Sequence, residues 1–168
     1  STEEKLDALD LGWRCQFNRA FSLDMSAFAY RYGNLRDSAI TGLPIPQPGG
    51  YVFIPSINSN GNSANASGIE VSLDWRPRPE WRVQTAYSYF DSTVRSAPGR
   101  LASGYADTTP AHLLSLRATC ELSSTLQGDA WLRHVSRVAN SSFSIPAYTT
   151  LDLRLAWQAS PALELSLT

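Results

Sequence analysis

The stretch GIEVSLDW, residues 68–75, decides the fold class of this chain. Its apolar and polar residues alternate strictly, whereas an amphipathic helix would repeat about every 3.6 residues. A period of two places successive side chains on opposite faces of an extended strand. The segments LDLGWRCQF at 9–17 and TTLDLRLAW at 149–157 follow the same pattern. The chain is therefore predicted to be all-β, with strands that have one apolar and one polar face.

Residues 1–168 are predicted to form a single barrel segment with strands at about 6–17, 20–32, 68–76, 81–91, 111–122, 126–136, 148–158 and 163–168. Short turns are predicted near 18–19, 77–80, 123–125 and 159–162. Long loops rich in Gly, Ser, Asn and Pro are predicted at about 33–67, 92–110 and 137–147. Because the two kinds of connection alternate, antiparallel neighbours would put all turns at one end and all loops at the other. This layout is typical of an antiparallel up-and-down transmembrane β-barrel, with short periplasmic turns and long extracellular loops.

The longest predicted loop, 33–67, has two parts with different expectations. The apolar patch YVFIPS at 51–56 is a candidate for a short hairpin above the membrane. The segment NSNGNSANASG at 58–68 is polar and of low complexity, so we expect it to be mobile. In such a barrel the loops, rather than the strands, would carry ligand specificity.

The two faces of the strands suit lipid on one side and water on the other. A strand that crosses a bilayer pairs its backbone groups in a closed sheet and presents apolar side chains to lipid. The residues predicted to face lipid are Ile69, Val71, Leu73, Leu151, Leu153 and Leu155. The polar residues predicted to line the lumen are Arg14, Glu70, Asp74, Arg82, Arg117, Asp129, Arg133, Asp152 and Arg154. Both signs of charge occur on adjacent strands, so we expect cross-strand ion pairs in a wet lumen.

Alternation alone does not separate a membrane barrel from a soluble β-sandwich, whose apolar face would be a dry core. The positions of the aromatic residues favour the barrel, since they resemble the girdle that marks a membrane interface. The residues near the short turns that would form this girdle are Trp13, Trp75, Trp81 and Trp157. Candidates for a second belt at the opposite strand ends are Tyr30, Tyr32, Tyr87, Tyr89 and Tyr148.

The composition excludes several other classes of protein. A formal net charge of −1 and a pI of about 6.1 provide no basic field, so we expect no nucleic-acid partner. The sequence contains no run of about 18 apolar residues, so it predicts no transmembrane helix. The opening STEEKLDALD has neither a basic n-region nor an apolar h-region, so we expect no signal peptide there.

The residue types that carry chemistry do not form a recognisable site. His112, Ser115 and Asp107 could be drawn as a catalytic triad, but the chain has no G-x-S-x-G motif. It also has no D-x-D-x-D-G loop and no H-E-x-x-H motif for a metal. Cys15 and Cys120 lie far apart in sequence and are expected to be unpaired, with a disulfide as the alternative. We therefore expect no enzyme, no cofactor and no metal site.

Four successive segments resemble the C-terminal barrel of TonB-dependent receptors. They are the GIEVSLDW strand entering a Pro-containing turn, the AYSYFD strand leaving it, the P-x-H strand start at Pro110 and His112, and PAYTTLDLRLAW. The resemblance implies a fragment of a larger barrel in the bacterial outer membrane, without the last strand and the N-terminal plug domain. The implied function is import of a ferric siderophore, cobalamin or a similar scarce solute. The implied partners are membrane lipid, a small-molecule ligand such as a metal chelate, and the TonB complex, which acts through the plug.

Two other readings stay open at the level of the sequence. A small eight-stranded outer-membrane barrel would require Leu163–Thr168 to pair with Leu6–Phe17. A soluble β-sandwich binding module would require the Leu and Trp face to be a dry core.

Overall fold

The computed structural model of the chain describes residues 2–96, 98, 100, 101, 108–139 and 144–168. The strands are β1 Lys5–Asn18, β2 Phe21–Ile40, β3 Ile45–Pro46, β4 Val52–Phe53, β5 Ser56–Trp75, β6 Trp81–Arg95, β7 Arg100–Leu101, β8 His112–Ser123, β9 Leu126–Val135, β10 Val138–Ala139, β11 Ser144–Ile145, β12 Tyr148–Ser160 and β13 Leu163–Leu167. Within the described ranges, no helix is long and apolar enough to cross a membrane. The predicted all-β fold is confirmed.

One antiparallel sheet contains the long strands in up-and-down order, β1-β2-β5-β6-β8-β9-β12-β13. The short strand β7 also joins it, pairing with Ser38 and Ala39 near the end of β2. β1 and β13 are the two edges, so the sheet is open over the described residues, as in a partial barrel. The pairing of Leu163–Thr168 with Leu6–Phe17 that a self-contained barrel would need is not formed there.

Three of the short turns each contain the same kind of local hydrogen bond. The first residue of each turn accepts the backbone N–H two positions later: Ala20 N to Asn18 Oδ1 at 2.7 Å, Thr125 N to Ser123 Oγ at 3.2 Å, and Ala162 N to Ser160 Oγ at 3.4 Å. Asn and Ser favour turns because their short side chains satisfy the backbone in this way. The sequence therefore specifies these turns locally.

The strands β2 and β5 are longer than predicted, at 20 residues each. The bounds of the predicted loop 33–67 are wrong, since the connection covers only residues 41–55. The segment 58–68, expected to be mobile, belongs to β5 and pairs with both β2 and β6. Its small side chains hid the strand from hydrophobic patterning, yet they pack closely: Asn62 is 1% exposed and Ala66 is 9% exposed.

The connection 41–55 contains the hairpin for which YVFIPS was a candidate. Ile45 pairs with Phe53, and Gln47 N donates to Tyr51 O at 3.0 Å. Gly49 and Gly50 close the turn with φ angles of 108° and 81°, a backbone conformation that glycine adopts without the strain of a side chain. The position of this hairpin above a membrane stays a prediction.

The other two long connections also contain short strands. β6 extends to Arg95, so the predicted loop 92–110 starts later than expected, and β7 returns from it to β2. Residues 97, 99 and 102–107 lie outside the described residues. In the predicted loop 137–147, β10 pairs with β11. Residues 140–143 of this loop are not among the residues that the structure describes. The extracellular location of the three loops stays a prediction.

The apolar face of the sheet is exposed rather than covered by a second layer. Leu9, Leu11 and Leu153 are 70%, 72% and 59% exposed. The buried apolar residues of the described chain are Ala66, Val138 and Ala156. A soluble sandwich buries its apolar face between two sheets. The dry core that the sandwich alternative requires is therefore missing from the described part of the chain.

Candidate transport lumen and membrane face

Strand register places the nine polar residues predicted to line the lumen on one face of the sheet. One row of directly opposed residues crosses seven strands: Arg14, Asp24, Ser72, Ala86, Ser115, Arg133 and Thr150. The remaining predicted residues lie an even number of positions from a member of this row, and so share its face. We call this side the inner face. That it lines a water-filled lumen stays a prediction.

Ion pairs between adjacent strands connect most of the charged residues of the inner face, which confirms the expected cross-strand pairing. Arg117 Nε lies 2.9 Å from Asp129 Oδ2, and Arg154 Nη2 lies 2.7 Å from Glu164 Oε1. Three further pairs join Arg14 to Asp24, Arg82 to Asp74, and Arg133 to Asp152. Opposite charges on neighbouring strands stabilise the pairing of a sheet.

Glu70 differs from the other predicted lumen residues. Ser26 Oγ donates a weak hydrogen bond to Glu70 Oε2 at 3.4 Å, and within the described residues Glu70 has no ion-pair partner. It lines a shallow cavity of about 470 Å³ on the inner face together with Ser88, Trp131 and Arg133. This cavity gives the inner face a concave surface with an unneutralised carboxylate.

Trp131 also lies on the inner face, although it was not among the residues predicted to do so. Its Nε1 donates to Ser115 Oγ at 2.8 Å, and the Arg133 guanidinium lies 4.2 Å from its ring centroid. A cation over an indole face is an attractive arrangement. The signal was present in the sequence, because Trp131 has the same strand parity as Asp129 and Arg133.

A cluster of aromatic residues also lies on the inner face, nearer the long loops. The rings of Phe28 and Tyr30 stack with centroids 5.0 Å apart, and Tyr30 Oη donates to Asp10 Oδ1 at 2.7 Å. Tyr30, Tyr32 and Tyr148 were expected in a second membrane belt, but register places them inside. On β2 and β12 the even-numbered residues share the inner face with the polar residues. The prediction considered only how close these tyrosines are to the strand ends, and not which face they occupy.

The outer face holds all six residues predicted to face lipid. Ile69, Val71 and Leu73 alternate with inner residues on β5, and Leu151, Leu153 and Leu155 do so on β12. Trp13, Trp75, Trp81 and Trp157 lie on the same face, next to the short turns. Contact of this face with lipid, and of these four rings with the interface, stays a prediction.

Two histidines, His112 on β8 and His134 on β9, also lie on the outer face. They are at the end of the sheet that carries the long loops, whereas the four Trp residues lie near the short turns. His112 Nδ1 is 2.8 Å from Tyr87 Oη, and His134 Nδ1 is 2.8 Å from Thr149 Oγ1. Ser115 points to the inner face, so the backbone separates it from His112. The third member of the hypothetical triad, Asp107, lies outside the described residues. The described geometry therefore does not assemble that triad.

The two cysteines are free and lie on the outer face. Cys15 is on β1 and Cys120 on β8, which are four strand spacings apart, or about 19 Å. A disulfide requires Cα atoms within about 7 Å. The expectation that they are unpaired is confirmed.

The family model described as TonB dependent receptor-like, beta-barrel, matches residues 2–168. The chain belongs to this family. Members of the TonB-dependent receptor family are transport receptors of the bacterial outer membrane, and this chain is an outer-membrane protein. No curated protein matches it.

Solved structures of receptors share the fold of this TonB-dependent receptor segment at low sequence identity. The siderophore receptor PiuA from Acinetobacter baumannii has a TM-score of 0.76 and 15% identity, over 96% of this chain and 23% of its own. The ferric yersiniabactin uptake receptor FyuA from Yersinia pestis has a TM-score of 0.70 and 18% identity, over 97% of this chain and 24% of its own. The chain thus spans about a quarter of the length of these receptors.

Proposed function

We propose that this chain forms part of the barrel wall of an outer-membrane receptor that imports a ferric siderophore, cobalamin or a similar scarce solute. The observation that carries the proposal is the family match over residues 2–168. The energy for import would come from the TonB complex, acting through a plug domain encoded elsewhere in the receptor. The segment itself would supply wall, lumen lining and loops.

The division of the sheet into two faces supports this role. The inner face carries paired charges and the Trp131 and Phe28 rings, which suit contact with water, a plug domain and a polar solute. The outer face carries exposed leucines that would be costly in water but suit lipid. A wall with this asymmetry can separate an aqueous pathway from the membrane.

A metal chelate is the solute class that we favour. PiuA is a siderophore receptor, and FyuA takes up ferric yersiniabactin. Pyoverdine is bound to the related structure FpvA from Pseudomonas aeruginosa PAO1, which has a TM-score of 0.64 and 17% identity over 97% of this chain and 24% of its own. These likenesses support a chelate but do not select among chelates.

The test is uptake by the whole receptor in its own cell. A deletion strain would be grown under iron limitation with single ferric siderophores, and separately under cobalamin limitation. We expect growth on one chelate to be lost on deletion and restored by the intact gene, but not when the TonB gene is also deleted. Unchanged growth on every solute, or uptake that continues without TonB, would refute the proposal.

A further inference from the structure

The first two short turns of the sheet meet at one corner and are rich in arginine. Arg19 lies in the turn between β1 and β2, and Arg76 and Arg78 lie in the turn between β5 and β6. Arg76 N donates to Ala20 O at 2.7 Å, so the two turns are in direct contact. The other two short turns, by contrast, contain no charged residue. We call Arg19, Arg76 and Arg78 the basic corner.

The aspartates closest to the basic corner already face arginines on the inner face. Asp74 pairs with Arg82, and its other oxygen lies 3.9 Å from Arg76 Nε. On the neighbouring strands, Arg14 pairs with Asp24. Both aspartates at this end of β2 and β5 are therefore engaged within the sheet.

Two glutamates lie on the other side of the second turn, towards β8. The backbone oxygen of Glu80 accepts Glu121 N at 2.9 Å, and Glu121 shares the inner face with Arg117. β2 and β5 separate both glutamates from Arg19. The ion pairs among the described residues include neither Arg19 nor Arg78, and both arginines are exposed. These two guanidinium groups can therefore meet an external anion.

Exposed aromatic rings lie beside the basic corner on the outer face. The ring centroids of Phe17 and Phe21 are 5.3 Å apart, and Phe21 is opposed to Trp75 across β2 and β5. Phe17 is 56% exposed and Trp75 is 44% exposed. A soluble polyanion would use the arginines alone. A phospholipid would use both features, because its phosphate lies at the membrane interface and its acyl chains begin just below.

We propose that the basic corner binds the phosphate of an anionic phospholipid in the membrane leaflet next to the short turns. Arg19 and Arg78 would donate to the phosphodiester oxygens, whose geometry matches the planar fork of a guanidinium group. The rings of Phe17 and Trp75 would contact the glycerol and the first methylene groups. A zwitterionic lipid fits less well, because the two arginines would repel its ammonium group.

The inference rests on the proposed function in one respect, that the outer face contacts the membrane with the short turns on the periplasmic side. It adds a lipid of stated charge at one corner of that face. Arg19 and Arg78 lie in turns rather than among the predicted lumen residues, so solute import and lipid binding can be measured independently.

The test uses the whole receptor, purified in detergent, with phosphatidylglycerol as the probe and phosphatidylethanolamine of the same acyl chains as the comparison. Native mass spectrometry would measure the bound lipid, with and without inorganic phosphate as a competitor at the lipid concentration. The variant is Arg19→Gln combined with Arg78→Gln. The matched control is Arg14→Gln combined with Arg137→Gln, which removes the same charge away from the corner. Heat-modifiable gel migration would verify folding, and Arg78→Gln alone serves if the double variant does not fold.

We expect the double variant to bind phosphatidylglycerol roughly tenfold more weakly, since each arginine near an anionic lipid surface contributes to binding. The control should bind it like the unmodified receptor, and inorganic phosphate should not displace it. Equal binding by the double variant or an equal loss in the control would overturn the inference. Equally tight phosphatidylethanolamine, or displacement by phosphate, would do so too.

The outcome is separable from that of the proposed function. A receptor that imports its chelate but shows no preference for phosphatidylglycerol refutes only this inference. One that binds the lipid at Arg19 and Arg78 but imports nothing refutes only the proposed function.

Discussion

The ring of Phe28 covers Gly68 on the inner face of the sheet. The two residues are directly opposed on β2 and β5, and Gly68 is buried. A Cβ atom built on Gly68 would overlap the backbone oxygen of Tyr89, and it would lie 2.5 Å from Phe28 Cζ and 2.8 Å from Phe28 Cε1. An aromatic ring packed over a glycine is a device that fixes the register of neighbouring strands. The absence of a side chain at residue 68 is therefore a packing requirement of this strand pair.

Gly68→Ala should destabilise the receptor by about 1–3 kcal/mol, because the added methyl group forces Phe28 or the backbone to move. The control is Gly12→Ala, since a Cβ there has no neighbour within 4 Å. Urea unfolding in lipid vesicles, followed by tryptophan fluorescence, measures the free energy of unfolding of both variants. Equal stability of the two variants would contradict the packing role of Gly68.

Leu73→Arg should cost about 2–4 kcal/mol of membrane-inserted stability, whereas Ser72→Arg should cost much less. The residues are adjacent on β5 at nearly the same depth but lie on opposite faces, and Ser72 is opposed to Asp24. An arginine at 72 can therefore meet water and a carboxylate, while one at 73 would meet lipid. Vesicle-based unfolding free energies provide the comparison. Similar costs at both positions would refute the assignment of the outer face to lipid.

Arg117 and Asp129 should show an interaction energy of about 1 kcal/mol in a double-mutant cycle with Arg117→Gln and Asp129→Asn. The Asp129 side chain is only 13% exposed and also accepts from Thr119 Oγ1 at 2.7 Å. The comparison cycle uses Arg14→Gln and Asp24→Asn, a pair that is 83% and 39% exposed. We expect that cycle to give less than about 0.5 kcal/mol, since water screens exposed pairs. A stronger coupling in the exposed pair would contradict this ranking.

Fluorescence quenching should separate Trp157 from Trp131. Trp157 is 50% exposed on the outer face, whereas Trp131 lies on the inner face against Arg133. Lipids brominated near the headgroup should quench Trp157, and aqueous iodide should quench Trp131. Comparison of Trp157→Phe and Trp131→Phe receptors with the parent assigns each signal. Because Trp13, Trp75 and Trp81 share the outer face, the change caused by each variant is what counts. A fall in bromolipid quenching on Trp131→Phe but none on Trp157→Phe would reverse the face assignment.

Much of the fold followed from local patterns that do not depend on partners. The strands follow from the period of segments such as GIEVSLDW, and the turns at Asn18, Ser123 and Ser160 are local because the first residue itself caps the turn. The strand through 58–68 was missed because its Asn, Ser, Ala and Gly residues carry no hydrophobic signal. It is held by backbone pairing on both sides and by the fit of small residues beside Phe28. Neither the pairing partners nor the fit beside Phe28 can be read from the sequence of residues 58–68 alone.

The sequence by itself determined that the chain is all-β and which residues share a face, because side chains alternate along every strand whatever the strand pairs with. It also indicated the sign of each charge available on the inner face. Only the tertiary structure decided the register. That register makes Arg14 face Asp24, opposes Asp7 and Arg31 without an ion pair between the two, and brings β7 back to β2. The physical reason is that register and strand length are set by neighbours distant in sequence, whereas the alternation of faces is a property of each strand alone.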